Sequence, residues 1–213
     1  MNNPVRRIEW LVFGSLALII ASVTAAYVLT QAEKLNDRRV SLPFHSPVGD
    51  FTLTNQQGRA VSLRDLRGQI WIADIIFTRC AGPCPKMTQR MSDLQKALPP
   101  ARPVKFVTLT TDPDFDTPAV LKSYGERFGA DANRWMFLTG AKKEIARLAR
   151  EGLKLIADET KPEDRASDTD LFIHSTIFVI VDKQGRLRGS FEYDDPLMKQ
   201  KVLAAIRKLR REK

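Results

Sequence analysis

The sequence predicts a single α/β domain that follows an N-terminal membrane helix. Three observations support this prediction: a run of twenty uncharged residues near the start, an alternation of β-rich and helix-like segments after it, and a total length of 213 residues. A chain of this length accommodates one domain of ordinary size plus an extension. Its hydrophobic content of 43% suits a folded core rather than a disordered chain.

The first element is the apolar run from Trp10 to Leu29. At about 1.5 Å of rise per residue, such a run spans a hydrocarbon core of roughly 30 Å. A cleaved signal peptide is the alternative, because Val23 to Ala26 offers small residues at cleavage positions. The run continues to Leu29, which favours an uncleaved anchor. Arg6 and Arg7 favour a cytoplasmic N-terminus, so both interpretations put the domain on the extracytoplasmic (periplasmic) side.

These features divide the chain into four parts. Residues 1–9 are a cytoplasmic stub, 10–29 the transmembrane anchor, 30–46 a polar, proline-containing tether, and 47–213 the folded domain. The sequence shows no internal repeat and no low-complexity block, so nothing indicates a repeat architecture.

The folded domain opens with a predicted hairpin, Phe51 to Thr54 with Ala60 to Leu63, because apolar and polar residues alternate on both sides of a Gly-containing turn. Gln69 to Phe77 is nearly all apolar and β-rich, which is typical of a strand buried on both faces. A helix then starts near Pro85, which suits a first helical turn. Its apolar face contains Met87, Met91, Leu94 and Leu98, and we assign the two methionines to core packing.

Strands and helices alternate through the rest of the domain. The predicted elements are a strand at 104–110, a helix at 117–128, a strand at 135–139, a helix near 142–152, an aperiodic charged stretch at 158–170, and two strands at 172–181 and 186–193. This order, with two cysteines at a strand-to-helix junction, predicts a thioredoxin-like domain. Its chemistry is expected at the carboxyl end of the first central strand.

The C-terminal segment carries most of the formal net charge of +9. Between residues 199 and 213 basic residues dominate, while Leu197, Val202, Ile206 and Leu209 recur at near-helical spacing. We therefore predict a terminal helix that docks by its apolar stripe and leaves a solvated basic face. Nucleic-acid binding is disfavoured, because the segment lacks aromatic platforms and a recognisable motif.

Both cysteines, Cys80 and Cys84, lie in the stretch FTRCAGPCP at residues 77–85. Thiolates are soft ligands that favour Cu(I), and Gly82 and Pro83 allow a turn that brings both sulfurs to one ion. With Cys84 predicted at the N-cap, the positive end of the helix lowers the thiol pKa values, which serves metal binding and disulfide exchange equally. A structural disulfide is also open, although closing so short a loop stabilises little.

His174 is the candidate third ligand, because the other histidine, His45, lies in the predicted tether. Imidazole suits copper in either oxidation state. A closed zinc site would need a fourth ligand, and no further cysteine exists. A thioredoxin-type oxidoreductase would show C-x2-C and a proline on the facing strand, where this chain has Ile173 before the histidine. A peroxidase would have a threonine three positions before its cysteine, whereas Thr78 is two before Cys80.

Three motifs in one order resemble the Sco/SenC family of membrane-anchored copper-binding proteins. They are FTRCAGPCP, TTDPDFDTP at 110–118, and His174 in FIHSTIFVIVDKQGRLRG, and the resemblance covers about residues 47–208 besides the anchor. It implies a copper chaperone that holds one ion through Cys80, Cys84 and His174. Its implied recipient is the binuclear copper centre of a respiratory cytochrome c oxidase during assembly. The implied partners are the copper-site subunit of that oxidase, a thiol reductant and another copper donor.

Three carboxylates are candidate supporting residues. Asp74 lies in the apolar strand six residues before Cys80, the spacing at which thioredoxins place a buried acid, so it must be neutral, paired or functional. Asp112 and Asp116 match the family's D-P-x-x-D-T-P pattern, although Phe115 stands where many members carry an arginine. These two either make the turn and cap the next helix or position the copper loop.

Stoichiometric copper transfer, rather than enzymatic turnover, is the function that these residues favour. A thiol-disulfide reductase is the rival hypothesis, with Cys80 and Cys84 as a redox-active dithiol acting on the oxidase's copper-site cysteines. A redox or copper sensor is the third, and it would need the charged stretch 158–170 to change on metal binding.

Overall fold

The computed structural model describes residues 4–39, 42–43, 47–100, 104–159 and 172–212. The chain divides into two compact units, Met1–Val40 and Ser41–Lys213.

The first unit is a single helix, α1, which extends over Pro4–Arg39. Its segment Phe13–Gln31 is long and apolar enough to cross a membrane, and it is the one such helix in the described ranges. The apolar side chains along it are exposed, as Leu18 is at 74%. Since a water-soluble helix buries such side chains, α1 fits a membrane anchor or an export signal. The helix also takes in residues 30–39 of the predicted tether.

The second unit is built on a mixed seven-stranded sheet, which confirms the predicted α/β class. Its strands are β1 (Thr52–Asn55), β2 (Ala60–Ser62), β3 (Trp71–Ile76), β4 (Lys105–Thr110), β5 (Trp135–Thr139), β8 (Ile177–Val181) and β9 (Leu187–Glu192), in the spatial order β2-β1-β5-β4-β3-β8-β9. The central three, β3, β4 and β5, are parallel, and every outer neighbour is antiparallel. Two further short strands, β6 (Ala157–Glu159) and β7 (Phe172–His174), pair with each other.

The helices of this unit connect the strands. They are α2 (Leu63–Leu66), α3 (Cys84–Ala97), α4 (Pro118–Arg127), α5 (Lys142–Arg147), which continues into a π-helical turn at Leu148–Gly152, and α6 (Met198–Arg211). Helix α6 buries Val202, Ile206 and Leu209 of the predicted stripe, so the predicted docking of the basic terminal helix is confirmed. Leu197 does not belong to the stripe, because it is the N-cap residue and is 50% exposed, and Met198 is buried in its place. Just beyond it, Glu212 binds the Arg188 guanidinium of β9 at 2.5 Å and fixes the end of the chain to the sheet.

The sheet separates two layers because alternate residues of each strand point to opposite faces. On one face, Trp71, Ala73 and Ile75 join an apolar cluster with the α5 segment. On the other face, Asp74, Thr108 and Phe137 are neighbours in register. Helix α4 packs on this second face so closely that a Cβ on Gly125 would lie 2.7 Å from the Phe137 ring.

Helix α3 lies beside α4 on the same face. The Ser92 hydroxyl of α3 donates to Phe128 O at 2.7 Å, and the Gln95 amide donates to Gly129 O at 3.0 Å. Met87 and Met91 are fully buried, so their assignment to the core is confirmed. Since α3 follows the cysteine loop directly, this packing fixes the C-terminal side of the loop against the sheet.

The predicted strand 172–181 is interrupted in the structure. Its first part, β7, pairs with β6, and its second part, β8, pairs with β3. The interruption falls at Ser175, whose hydroxyl accepts the Ile156 N–H at 2.7 Å while its own N–H donates to Ile156 O at 3.1 Å. These bonds draw the chain toward β6, so the apolar run forms two strands rather than one.

Where the β1–β5 ladder ends, the side chain of Gln56 hydrogen-bonds the backbone of β5. Removing this side chain tests the fold. Its amide donates to Trp135 O at 2.7 Å and accepts the Phe137 N–H at 2.9 Å, and the residue is 7% exposed. Replacing it with alanine leaves two buried backbone groups unpaired. We expect Gln56→Ala to lower the free energy of unfolding by about 2–4 kcal/mol, measured by urea denaturation of the Ser41–Lys213 unit.

The neighbouring Gln57 is exposed and provides the matched control. We expect Gln57→Ala to change the unfolding free energy by less than about 0.5 kcal/mol, as surface substitutions usually do. Equal stabilities of the two variants would contradict this account of the ladder.

Candidate functional site

The cysteine loop connects the carboxyl end of β3 to the start of α3. Cys84 is the first residue of α3, and Pro83 is its N-cap, with Pro83 O accepting the Met87 N–H at 2.9 Å. The helix therefore starts one residue earlier than predicted, because Pro83 adopts the helical backbone conformation. The loop lies at the edge of the sheet where the parallel strands end, which is the predicted position for chemistry.

The two thiols are hydrogen-bonded to each other and are not joined by a disulfide. Cys84 is fully buried, while Cys80 is partly exposed and its sulfur accepts the Gly82 N–H at 3.3 Å. The hydrogen bond with the Cys80 thiol and then burial raise the pKa of the Cys84 thiol well above its ordinary value. The predicted lowering of its pKa is wrong, because the hydrogen bond with Cys80 and burial together outweigh the favourable helix end.

Asp116 lies beneath the loop and joins the ends of two strands. Its carboxylate accepts the Thr78 N–H at 3.1 Å, the Thr110 hydroxyl at 2.5 Å and the Thr78 hydroxyl. We call these three residues the Asp116 clamp. Burial raises the pKa of Asp116, and the hydrogen bonds from both threonines partly oppose that shift. The clamp connects the residues just before Cys80 to the end of β4.

Asp112 and Asp116 therefore contact the cysteine loop, and neither caps α4. The cap is Thr117, whose hydroxyl accepts the Val120 N–H at 3.4 Å. Asp112 instead binds the Arg79 guanidinium at 2.6 Å, and its own N–H donates to the Thr110 hydroxyl. The capping role considered for these carboxylates is wrong, because their side chains turn toward the cysteine loop.

Near Cys84, polar groups lie on the face of the sheet that α3 and α4 cover. Asp74 is fully buried, and its Oδ1 accepts the Thr108 hydroxyl at 2.7 Å. Thr108 in turn accepts the Trp135 indole N–H at 2.9 Å. Burial raises the pKa of the neighbouring Tyr124 hydroxyl, and nearby Cys84 and Asp74 add to the shift. The predicted buried acid thus lies in a hydrogen-bonded environment close to the second cysteine.

Tyr124 also reaches the first turn of α3. Its hydroxyl lies 2.8 Å from that of Thr88, which donates to Cys84 O at 2.9 Å. Because the single Thr88 proton points to that carbonyl, Tyr124 must be the donor to Thr88. These two hydrogen bonds link α4 to the backbone of the buried Cys84.

The backbone of His174 ends β7, and β8 starts three residues later at Ile177. Because β8 runs antiparallel to β3, its first residues lie at the edge of the sheet where β3 ends and the cysteine loop begins. The ring of His174 and all of His45 lie outside the described part of the structure. Within that part, no three His, Cys, Asp or Glu side chains are grouped as a metal site would require.

Sequence reasoning missed the contribution of Thr78 and Thr110. The parallel register aligns Ile76 with Thr110, which brings the two threonines to one edge of the sheet. Their signal was present in the polar residues that directly follow two apolar strands. It becomes visible only when those strands are known to be neighbours.

The chain is similar to known proteins over most of its length. A sequence model described as SCO1/SenC matches residues 42–211. The SCO1 protein homolog of Bacillus subtilis (strain 168) is 30% identical over 197 residues, covering 89% of this chain and 99% of that protein. Among solved structures, BsSco, "a member of the Sco family of cytochrome c oxidase assembly proteins", has a TM-score of 0.69 at 32% identity, covering 81% of this chain and 99% of that one.

A copper-bound structure shares the fold of this chain. The structure of Bradyrhizobium japonicum ScoI with copper bound has a TM-score of 0.64 at 23% identity, and it covers 77% of this chain and 99% of that one. These likenesses confirm the predicted thioredoxin-like fold of the second unit.

Proposed function

Because this chain belongs to the SCO1/SenC family, we propose that its second unit binds copper and supplies it to a respiratory cytochrome c oxidase during assembly. The observation that carries the proposal is the pair of reduced thiols in mutual contact, one buried and one partly exposed. In the same family, BsSco belongs to the oxidase assembly proteins and ScoI has been solved with copper bound.

The proposed ligands are Cys80, Cys84 and His174, and the residues present fit a soft cation. Thiolate sulfur favours Cu(I), and a neutral imidazole completes a three-coordinate site without a fourth protein ligand. Metal binding requires both thiols to lose their protons, so binding releases protons and depends on pH. The contact between the sulfurs supports the dithiol part of this set. The position of His174 three residues before the start of β8 supports its inclusion.

Handover to the recipient would proceed by ligand exchange at Cys80. This sulfur is partly exposed, whereas Cys84 is fully buried, so an incoming ligand meets Cys80 first. The recipient we propose is the binuclear copper centre in the copper-site subunit of the oxidase, with another copper donor upstream. Helix α1, as a retained anchor with the second unit on the periplasmic side, would hold the chaperone at the membrane that contains its recipient.

The proposal is tested by the copper content of the purified chain. With reduced thiols, we expect one copper ion per chain after dialysis against a chelator of moderate affinity. Chain whose thiols were alkylated beforehand is expected to retain less than about one tenth as much, since thiolates are the proposed anchoring ligands. Elemental analysis against protein concentration gives the ratio. Equal retention by the two samples would remove the dithiol from the site.

A thiol-disulfide reductase is the second candidate, favoured by the same unequal exposure of the thiols. Cys80 would attack a target disulfide and form a mixed disulfide, and Cys84 would then displace the target. The products are a Cys80–Cys84 disulfide and two reduced thiols on the target, so a separate thiol reductant must restore the dithiol. The sensor hypothesis depends on the stretch 158–170, of which 160–170 lie outside the described residues, and it stays a prediction.

A further inference from the structure

The two residues before Cys80 connect the cysteine loop to a neighbouring loop of the site. Within the loop, the Cys80 N–H donates to Phe77 O at 3.2 Å and the Gly82 N–H donates to the Cys80 sulfur, so both bonds are local. Thr78 and Arg79 make the contacts to the loop between β4 and α4. Thr78 does so below the surface, through the Asp116 clamp, and Arg79 does so at the surface.

At the surface, Arg79 is held on two sides. Its terminal nitrogen lies 2.6 Å from Asp112 Oδ2, and its guanidinium carbon lies 4.1 Å from the centre of the Phe115 ring. A planar guanidinium can bind a carboxylate at its edge and stack on a ring at its face at the same time. Arg79, Asp112 and Phe115 therefore form one contact cluster between the cysteine loop and the β4–α4 loop.

The members of this cluster differ in exposure. The Asp112 side chain is 9% exposed and is fixed further by the bond from its own N–H to Thr110. The Arg79 side chain is 43% exposed, and so is Phe115. Asp112 is thus held in place, whereas the side chain of Arg79, adjacent to Cys80, can move away from Asp112 and Phe115. An ion pair whose cation is exposed and an exposed cation–π contact are each weak enough to open without unfolding.

We propose that Arg79 and Phe115 are positioning residues that act as a latch on Cys80. While Arg79 lies between Phe115 and Asp112, the loop keeps the Cys80 sulfur against Cys84. When Arg79 leaves, Cys80 moves outward while the Asp116 clamp still holds Thr78. This inference deepens the proposed function, since it assigns control of access to the same dithiol, whether its partner is a copper acceptor or a disulfide.

The latch is tested by the rate at which iodoacetamide alkylates Cys80 in the reduced full chain in detergent, at fixed pH. Phe115→Leu and Arg79→Lys both preserve the local charge, but they remove the stacking or the planar fork. Each is expected to raise the Cys80 rate about three- to tenfold. Peptide mapping by mass spectrometry separates Cys80 from the buried Cys84. Rates within twofold of the unmodified chain would overturn the inference.

Two comparisons make the test specific. Arg90, exposed on α3, gives the matched control Arg90→Lys, for which we expect an unchanged rate. The double variant of Arg79 and Phe115 is expected to match the faster single variant, because both act through one contact. A double variant whose rate is the product of the two single effects would contradict a common latch.

The alkylation pattern also distinguishes opening of the latch from unfolding of the domain, and it does not depend on copper binding. A variant that unfolds exposes Cys84 as well, so an unchanged ratio of Cys80 to Cys84 alkylation would count against the latch. We expect that ratio to rise with the Cys80 rate, and the thermal midpoint to stay within about 2 °C. No copper is present in this assay, so its outcome does not depend on the copper content measured above.

Discussion

Replacing His174 with alanine is expected to remove most of the copper that the chain retains against a chelator of moderate affinity. The two thiolates alone leave a two-coordinate ion whose open side is accessible to competing ligands. Loss of an outer-shell partner typically costs metal affinity about 10- to 100-fold, and loss of a direct ligand should cost more. The measurement is a competition titration of the reduced chain and the variant with a chromogenic Cu(I) chelator.

The other histidine of the chain supplies the control for this experiment. His45 belongs to the segment predicted as the tether, so His45→Ala is expected to leave copper affinity unchanged. The two variants differ only in which of the two imidazoles is missing. Equal affinities of His174→Ala and the unmodified chain would exclude His174 from the site, and the dithiol would then have to bind copper without it.

The same pair of variants distinguishes the chaperone from the reductase. Thiol attack on a disulfide requires the ionised sulfur of Cys80 and the second thiol of Cys84, with no role for a third metal ligand. A reductase should therefore keep its rate with a model disulfide in His174→Ala, whereas a chaperone should lose copper transfer. Loss of both activities would indicate that the histidine also shapes the dithiol.

The fold was largely predictable because its signals are local. The apolar run of β3, the alternation around the β1–β2 turn and the apolar stripe of α6 all follow from residues adjacent in sequence or one helical turn apart. Helix α2 was missed although Ser62 and Asp65 show a capping pattern, with the Ser62 N–H donating to Asp65 at 2.7 Å. Four residues are too few for a periodic signal, so such a helix depends on its cap alone.

The site was predictable in its chemistry and less so in its geometry. Two cysteines spaced by three residues identified the loop, yet whether Cys84 is buried depends on α3 packing beside α4, which no local pattern encodes. The pKa of its thiol was therefore predicted in the wrong direction. Likewise, the contact of Asp116 with Thr78 follows from the parallel pairing of β3 and β4. Long-range pairing of this kind leaves no periodic trace in the sequence.

Replacing Asp116 with alanine is expected to destabilise the second unit strongly. The substitution removes the acceptor of three hydrogen bonds and leaves the Thr78 N–H and the hydroxyls of Thr78 and Thr110 without it. We expect the free energy of unfolding to fall by about 3–5 kcal/mol, given the cost of buried donors left unpaired. Asp114, exposed in the same loop, gives the control Asp114→Ala, which should change stability by less than about 0.5 kcal/mol.

The Asp116→Asn variant distinguishes the contribution of the Asp116 charge to stability from the contribution of its hydrogen bonds. Burial raises the pKa of Asp116 above its ordinary value of 3.8, so between those two values the folded state binds more protons than the unfolded state. The contribution of this group is therefore complete below pH 3.8 and is lost as the pH rises through its raised folded pKa. Asparagine does not titrate, so the stability advantage of the unmodified chain over Asp116→Asn should shrink over the range in which the pH rises from 3.8 through the raised folded pKa. Urea unfolding of both proteins across this range measures it, and an advantage that grows with pH would show that the carboxylate is stabilised as an anion by the threonines.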